Sequence, residues 1–175
     1  MTDSAASRAR VREATGEDCA SLSLVASATF LETFAGMIDG DALLAHCATA
    51  HDPAKLAAAL AGGARAWLAE IGGAPVGYAS LCEPELEAAL DRDIELKKIY
   101  VLSRFHGSGI AGDLFEAAWA AASDRRRLLL GVKDDNYRAI AFYRKMGFEQ
   151  IATRQFDIGG MLYDDVVFAR PIDRK

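Results

Sequence analysis

The sequence lacks the features that mark a membrane protein, a zinc protein or a disulfide-stabilised secreted protein. Its three cysteines, Cys19, Cys47 and Cys82, are scattered, and no Cys-x-x-Cys pair or Cys/His cluster occurs. No apolar run approaches the length of about 18 residues that a membrane-spanning helix needs, and the first residues form no apolar signal segment. We therefore expect reduced thiols, no metal site, no membrane association and a cytoplasmic location.

The chain is also short of positive charge and of nucleotide-binding motifs. Its 20 Lys and Arg residues are outnumbered by 25 Asp and Glu residues, which gives a net charge of −5. This balance argues against a nucleic-acid partner, because binding to phosphates needs an excess of cations. No Gly-Lys-Ser/Thr triplet and no complete dinucleotide fingerprint occurs. These absences argue against a nucleotide-dependent regulator.

What the chain does contain is enough apolar sequence for one globular domain. Hydrophobic residues make up 51% of its 175 positions and charged residues 26%, which is an ordinary balance. A chain of this length buries roughly 70% of its unfolded surface, so it needs no disulfide or metal to be stable. Because we find no internal repeat and no linker, we predict a single domain over residues 1–175.

Hydrophobic periodicity and turn residues predict a mixed α/β protein. The predicted helices, the second capped by Asp41, cover residues 17–34, 41–49, 53–60, 110–123 and 137–146. The predicted strands cover 8–14, 64–71, 75–81, 94–101, 127–132, 148–157 and 161–169. Residues 1–7 are predicted to be a frayed terminus, and Gly159-Gly160 to be the turn of the last hairpin. This order indicates a mixed sheet with helices on its faces.

Two polar regions have open interpretations. The acidic run comprises Glu83, Glu85, Glu87, Asp91 and Asp93. It is predicted to be a connection with a short helical turn at 84–90, either solvated or forming a wall that attracts a cationic substrate. For His46 and His51 we favour surface or packing roles over metal binding or catalysis.

The stretch from residue 94 to 122 reads as a strand, a glycine turn and a helix. Gly107 and Gly109 lie between the strand and the helix start at Ile110. Glycine tolerates positive φ and lets a ligand approach the backbone closely. The free N–H groups of a helix N-terminus then favour a phosphate or pyrophosphate. The alternative is a turn with no ligand.

These residues resemble the acetyl-CoA segment of the GNAT superfamily of acyl-CoA-dependent N-acetyltransferases. The family pattern is Gln/Arg-x-x-Gly-x-Gly/Ala after a strand, within LKKIYVLSRFHGSGIAGDLFEAA here. In one frame, Gly109 and Ala111 match while His106 replaces the usual Gln or Arg. In a second frame, the pattern begins at Arg104 and includes Gly107 and Gly109.

A second segment, DDNYRAIAFYRKMGFEQ, is similar to another pattern of the same family. That pattern is Asn-x-x-Ala-x-x-Phe-Tyr-x-x-x-Gly-Phe, and it is matched by Asn136, Ala139, Phe142, Tyr143, Gly147 and Phe148. The resemblance implies a GNAT-type fold, which is a mostly antiparallel sheet with splayed central parallel strands and helices on both faces. It also implies acetyl-CoA as co-substrate.

The resemblance further implies which residues contact acetyl-CoA. Backbone amides of the glycine turn would bind the pyrophosphate, at His106, Gly107, Ser108, Gly109, Ile110 and Ala111. The pantetheine arm would pair with the strand edge at Ile99, Tyr100 and Val101. The 3′-phosphate would meet one of four cations, unless these are solvated surface residues: Arg104, Arg138, Arg144 or Lys145. Asn136 would either contact the pantetheine arm or cap the last helix.

Two residues are the candidates for catalysis. Tyr143 is the predicted general acid, because a phenol beside the thioester sulfur can protonate the leaving thiolate. The alternative is a core tyrosine. Glu95 is the predicted base for the acceptor amine, directly or through water. Its alternatives are a structural pair with Lys97 or Lys98, or solvation.

The acceptor is the least determined part of the prediction. The segments TFLETFAG and ELKKIYVL resemble bacterial polyamine acetyltransferases of the PaiA type, which makes a polyamine the leading candidate. A peptide N-terminus, a protein lysine, an amino acid or an amino drug is also open. The rival function is a non-catalytic acyl-CoA sensor. Family habit makes a homodimer an expectation as well.

Overall fold

One seven-stranded sheet organises the chain in a computed structural model that describes residues 8–158 and 161–172. The predictions for residues 1–7 and for the 159–160 turn lie outside the described residues. The strands are β1 Arg10–Glu13, β2 Arg65–Ile71, β3 Ala74–Cys82, β4 Ile94–Val101, β5 Arg127–Lys133, β6 Glu149–Ile158 and β7 Met161–Pro171. Their order is β1-β2-β3-β4-β5-β7-β6, and every neighbouring pair except β4 and β5 is antiparallel.

Helices cover both faces of this sheet, and each predicted helix and strand is present. The helices are α1 Cys19–Phe34, α2 Gly40–Ala50, α3 Pro53–Ala61, α4 Ile110–Ala121 and α5 Tyr137–Lys145. Strand β2 shows the two-sided burial, since Leu68 packs in a cluster with α1 while Trp67 and Ala69 pack in the cluster that contains α4. The predicted α/β class with helices on both faces is confirmed.

Two local predictions differ from the structure. The cap of α2 is Asp39, whose side chain accepts a hydrogen bond from the Ala42 N–H at 3.1 Å, and Asp41 lies inside the first turn. A cap must precede the helix to reach its free N–H groups. The predicted helical turn at 84–90 is shorter than expected, since the segment is a loop with one turn closed by a hydrogen bond from the Ala89 N–H to the Leu86 oxygen at 3.0 Å. The Leu90 N–H donates to the Asp93 carboxylate and so does not continue a helix.

The parallel strands β4 and β5 separate almost as soon as they meet. They pair only at Ile94 with Leu128 and at Glu95 with Leu129, while β4 stays paired with β3 and β5 with β7. A bulge leaves Lys97 without a partner on β3. The splayed central strands expected from the resemblance are therefore present, and they leave the sheet open between them.

We expect Gly77→Ala to destabilise the fold by about 1–3 kcal/mol, because β3 and β4 are too close there for a methyl group. A Cβ at Gly77 would lie 2.9 Å from the Tyr100 carbonyl oxygen and 3.1 Å from Val101 Cγ2. Denaturant unfolding measures the change. Gly40→Ala is the control, because a Cβ at Gly40 meets nothing within 4 Å. Equal losses in the two variants would contradict this account of the contact.

Neither a membrane span nor a metal cluster is found in the part of the chain that the structure describes. No helix there is both long and apolar enough to cross a bilayer. No group of three or more His, Cys, Asp or Glu side chains lies close enough together to hold a metal ion. The three cysteines are free thiols; Cys19 is buried, and Cys47 and Cys82 are half-buried.

Candidate active site

A cleft of about 670 Å³ opens where β4 leaves β5. Its middle is β4 from Glu95 to Val101, and one end is the loop between β4 and α4, with Gly107 and Gly109. Its other end is walled by aromatic and aliphatic side chains from α1, the α1–α2 connection and the β6–β7 hairpin: Phe30, Phe34, Met37, Ile38, Phe156, Ile158 and Tyr163. The cleft therefore joins an end rich in glycine to an end rich in apolar side chains.

The open edge of β4 carries unused backbone groups. The Leu102 N–H donates to the Val76 oxygen at 2.9 Å, and in an antiparallel ladder the residues facing the partner alternate. Tyr100 therefore directs its backbone groups toward β3, and Ile99 and Val101 direct theirs into the cleft. One of these groups is occupied, because the Val101 oxygen accepts a hydrogen bond from His106 Nε2 at 2.8 Å.

The loop between β4 and α4 presents several free amides. Gly107 and Gly109 have φ of 81° and 91°, a conformation that favours glycine, and Gly109 is the N-cap of α4. The N–H groups of His106 and Ser108 close turns onto Ser103 and Phe105 at 3.0 and 3.2 Å. Within the described residues, no hydrogen bond uses the N–H groups of four residues at this helix start: Gly107, Gly109, Ile110 and Ala111.

Two features fix the position of this loop. The Glu32 carboxylate on α1 accepts hydrogen bonds from the Ser103 N–H at 2.8 Å and from its hydroxyl at 3.1 Å. The His106 ring bonds the end of β4, and since a carbonyl only accepts, the proton of that ring lies on Nε2. His106, where the family pattern has Gln or Arg, thus serves here to tie the loop to the strand.

The remaining predicted cofactor residues differ in their position. Arg138 and Asn136 line the cleft. Asn136 also caps α5, because its Oδ1 accepts a hydrogen bond from the Ala139 N–H at 3.2 Å. Arg104 is exposed and lies over the Phe105 ring at 5.1 Å, outside the cleft lining.

Tyr143 lies on α5 and lines the cleft from the side of β5. Its ring packs edge-on against Phe142 and Phe148, and the side chain is 8% exposed. Burial raises the pKa of the phenol well above its ordinary value. The hydroxyl is therefore protonated at neutral pH and available as a hydrogen-bond or proton donor.

Glu95 is buried at the point where the two strands separate, and it lines the cleft. Its Oε2 accepts a hydrogen bond from the Glu85 N–H at 2.9 Å, and its Oε1 lies 3.9 Å from Lys97 Nζ. Lys97 itself pairs with the Glu85 carboxylate. One carboxylate oxygen therefore anchors the acidic loop, and the other faces the lysine only at long range.

Sequence reasoning missed the charged groups at the apolar end of the cleft. Lys98, His46, Arg154 and Asp165 all line it, and Arg154 pairs with Asp165 at 3.1 Å. Arg154 lies over Gly131 of β5, where an added Cβ would be 2.8 Å from its guanidinium nitrogen. The sequence shows that Lys97 and Lys98 follow Glu95. It does not show that Lys98 lines the cleft, because that depends on how β4 pairs in the sheet.

The acidic run lies elsewhere. None of its carboxylates lines the cleft, and several are engaged in structural pairs: Glu83 with Arg125, Glu85 with Lys97, and Asp93 with Arg127. Leu86 from the same segment is buried against β5 and β7. Apart from the buried Asp93, the carboxylates of the run are exposed, so the solvated alternative fits the run and the interpretation of it as a wall of the cleft does not.

Solved structures of N-acetyltransferases share this architecture. PaiA N-acetyltransferase from Thermoplasma acidophilum, crystallised with coenzyme A, superposes with a TM-score of 0.75 at 18% identity, over 93% of this chain and 98% of that one. A ribosomal-protein-alanine N-acetyltransferase from Brucella melitensis gives a TM-score of 0.69 at 24% identity, over 93% of this chain and 99% of that one. At such identities the likeness concerns the fold, which is that of the GNAT acetyltransferases.

Sequence comparison gives the family. A model described as "Acetyltransferase (GNAT) domain" matches residues 62–150, just over half of the chain. Uncharacterized N-acetyltransferases of Mycobacterium tuberculosis and Mycobacterium bovis are each 40% identical over 99 residues. That match spans 55% of this chain and 60% of each relative. The chain belongs to the GNAT acetyltransferase family.

Proposed function

We propose that this protein transfers an acetyl group from acetyl-CoA to a primary amine by direct attack, and that residues 1–175 form one domain for this reaction. The observation that carries the proposal is the continuity of the cleft. It runs from the free amides at the start of α4, along the unpaired edge of β4, to the Tyr143 phenol. The coenzyme A complex of the structurally similar PaiA protein adds support.

Each part of acetyl-CoA has a matching group in the cleft. The pyrophosphate is assigned to the N–H groups of Gly107, Gly109, Ile110 and Ala111, where the dipole of α4 favours an anion. The pantetheine amides are assigned to Ile99 and Val101 as an added strand. Arg138 lines the cleft and follows the α5 cap, Asn136, by two residues. We assign it to the 3′-phosphate of coenzyme A.

The chemistry then follows from the two catalytic candidates. The amine nitrogen attacks the thioester carbonyl and forms a tetrahedral intermediate, and its extra proton passes to Glu95, directly or through water. The carbon–sulfur bond breaks, and the Tyr143 hydroxyl gives its proton to the departing thiolate. The products are the N-acetylated amine and coenzyme A; Glu95 then releases its proton to water, and Tyr143 regains a proton from water.

The acceptor is assigned to the apolar end of the cleft. A polyamine stays a prediction that rests on the resemblance alone, since the acidic run does not reach this end. A peptide or protein amine is the second candidate, and it too is compatible with the apolar lining of this end. A homodimer also stays a prediction.

Free-thiol release from acetyl-CoA in the presence of an amine panel tests the proposal. We expect thiol release that depends on both the protein and an amine, with the acetylated amine identified by mass spectrometry. Calorimetry with acetyl-CoA alone separates an enzyme from a sensor. Tight binding without turnover on any amine would favour the sensor, and absence of binding would reject both functions.

We expect Glu95→Gln to lower kcat by about 100-fold at neutral pH, the size typical of a lost general base. Glutamine keeps an oxygen that can accept the hydrogen bond from the Glu85 N–H, so the acidic loop should stay in place. The loss should shrink as pH rises, because the free amine then deprotonates without help. A pH–rate profile of the variant measures this. An unchanged profile would exclude Glu95 as the base.

A further inference from the structure

One of the cations that line the cleft, Lys98, has no partner among the residues that the structure describes. Lys98 is half-buried and lines the cleft beside the bulge of β4. None of the residues 8–158 and 161–172 forms an ion pair or a hydrogen bond with its ammonium. Burial lowers the pKa of Lys98, and the charges of Lys97 and Arg154 add to this effect. A confined charge without a counter-ion is costly unless a ligand supplies one.

A second polar atom, on a residue of the same cleft lining, is also unsatisfied. The His46 Nε2 is buried and has no hydrogen-bond partner among the described residues. The His46 ring stacks on Phe30 with centroids 4.2 Å apart and is held edge-on by His51, whose Nδ1 is 3.1 Å from the Ser27 hydroxyl. Burial and the nearby Lys98 charge lower the pKa of His46, so it is a neutral donor or acceptor.

The acidic groups around this pair already have hydrogen-bond partners. Asp165 accepts a hydrogen bond from Arg154, Glu95 accepts one from the Glu85 N–H, and Lys97 pairs with Glu85. Glu95 and Asp165 are the acidic groups that act on Lys98, and neither reaches ion-pair distance. The unmatched groups at the apolar end are therefore a cation and a buried ring nitrogen, which together suit an anion.

We infer that the acceptor is an amine that also carries a carboxylate, with Lys98 binding the carboxylate and the His46 Nε2 donating to it. This inference rests on the proposed acetyl transfer and names its substrate class as amino-carboxylates. The aromatic walls Phe30, Phe34 and Phe156 favour a side chain with an aromatic ring. A polyamine would place further positive charge against Lys98.

The test compares phenylalanine, its amide and phenethylamine as acceptors, which differ only in the group beside the amine. We expect kcat/KM to be at least about 10-fold higher for phenylalanine, as for a charge-assisted hydrogen bond. Lys98→Met should lower the ratio of phenylalanine to phenethylamine by at least about 10-fold, and Lys98→Arg should keep it. Lys55→Met is the control, because Lys55 is exposed and does not line the cleft, and its ratio should match the wild type.

Binding supplies a readout that does not need turnover. With coenzyme A present, N-acetylphenylalanine should bind more tightly than N-acetylphenethylamine by calorimetry, and Lys98→Met should remove the difference. Equal binding and equal turnover of the charged and neutral compounds would overturn the inference, whatever the level of activity. Amine acetylation without that preference would leave the proposed function standing, and failure to bind acetyl-CoA would reject the proposed function itself.

Discussion

Replacing Tyr143 with phenylalanine is expected to lower kcat for acetyl transfer by about 100-fold or more, the size of a lost general acid. The change removes the phenolic oxygen alone. The phenyl ring can keep its edge-on contacts with Phe142 and Phe148, so the fold should be retained. The affinity for acetyl-CoA should change little, because the amides at the start of α4 are untouched.

Steady-state kinetics and acetyl-CoA titration measure this effect. Tyr137→Phe is the matched control, since Tyr137 opens the same helix with a side chain that is 76% exposed and does not line the cleft. The control should keep its kcat. A Tyr143→Phe enzyme with an unchanged kcat would remove the phenol from the mechanism and leave it as a packing residue.

Arg127→Met is expected to lower the free energy of unfolding by about 3–5 kcal/mol, because it leaves the buried carboxylate of Asp93 without a partner. The Arg127 guanidinium lies 2.6 Å from Asp93 Oδ2, and the Asp93 side chain is 0% exposed. Asp93 also accepts a hydrogen bond from the Leu90 N–H. The pair therefore fixes the loop whose Glu85 N–H donates a hydrogen bond to Glu95. Loss of the pair should disturb the position of Glu95 in the cleft as well as the packing of the core.

Chemical denaturation measures the loss, with a matched variant beside it. Arg125 pairs with Glu83, whose side chain is 74% exposed. An exposed pair contributes at most about 1 kcal/mol, so Arg125→Met should be far less destabilising. Similar stabilities for the two variants would show that the Asp93–Arg127 pair is not the anchor of the loop.

The central part of the fold was predictable because its signals are local. The strand, glycine turn and helix between residues 94 and 121 follow from β-branched residues, paired glycines and helical periodicity. Asn136 as a cap and Gly147 as a stop with φ of 84° bound α5 in the same way. These elements hold Tyr143 and the free amides, so the part of the cleft that we propose for acetyl-CoA is encoded in short stretches.

The part of the cleft that we propose for the acceptor was not predictable, because it depends on contacts between distant segments. Lys98 and His46 are far apart in sequence, and only the packing of α2 against the sheet brings them to one cleft. The predicted helical turn at 84–90 is shorter than expected for a similar reason. The carboxylate of Asp93 accepts the Leu90 N–H that a longer helical turn would use. Local propensity carries no information about such partners.

The brief pairing of β4 with β5 has a consequence for how the protein responds to heat. The sheet is two ribbons, β1–β4 and β5–β7, that share only two residue pairs. Acetyl-CoA bound in the cleft would contact the open edges of both ribbons and so add contacts where β4 and β5 do not pair. A ligand at 100 times its Kd adds about 2.7 kcal/mol to the free energy of unfolding by mass action. The melting temperature should therefore rise with the fraction of the protein that has acetyl-CoA bound.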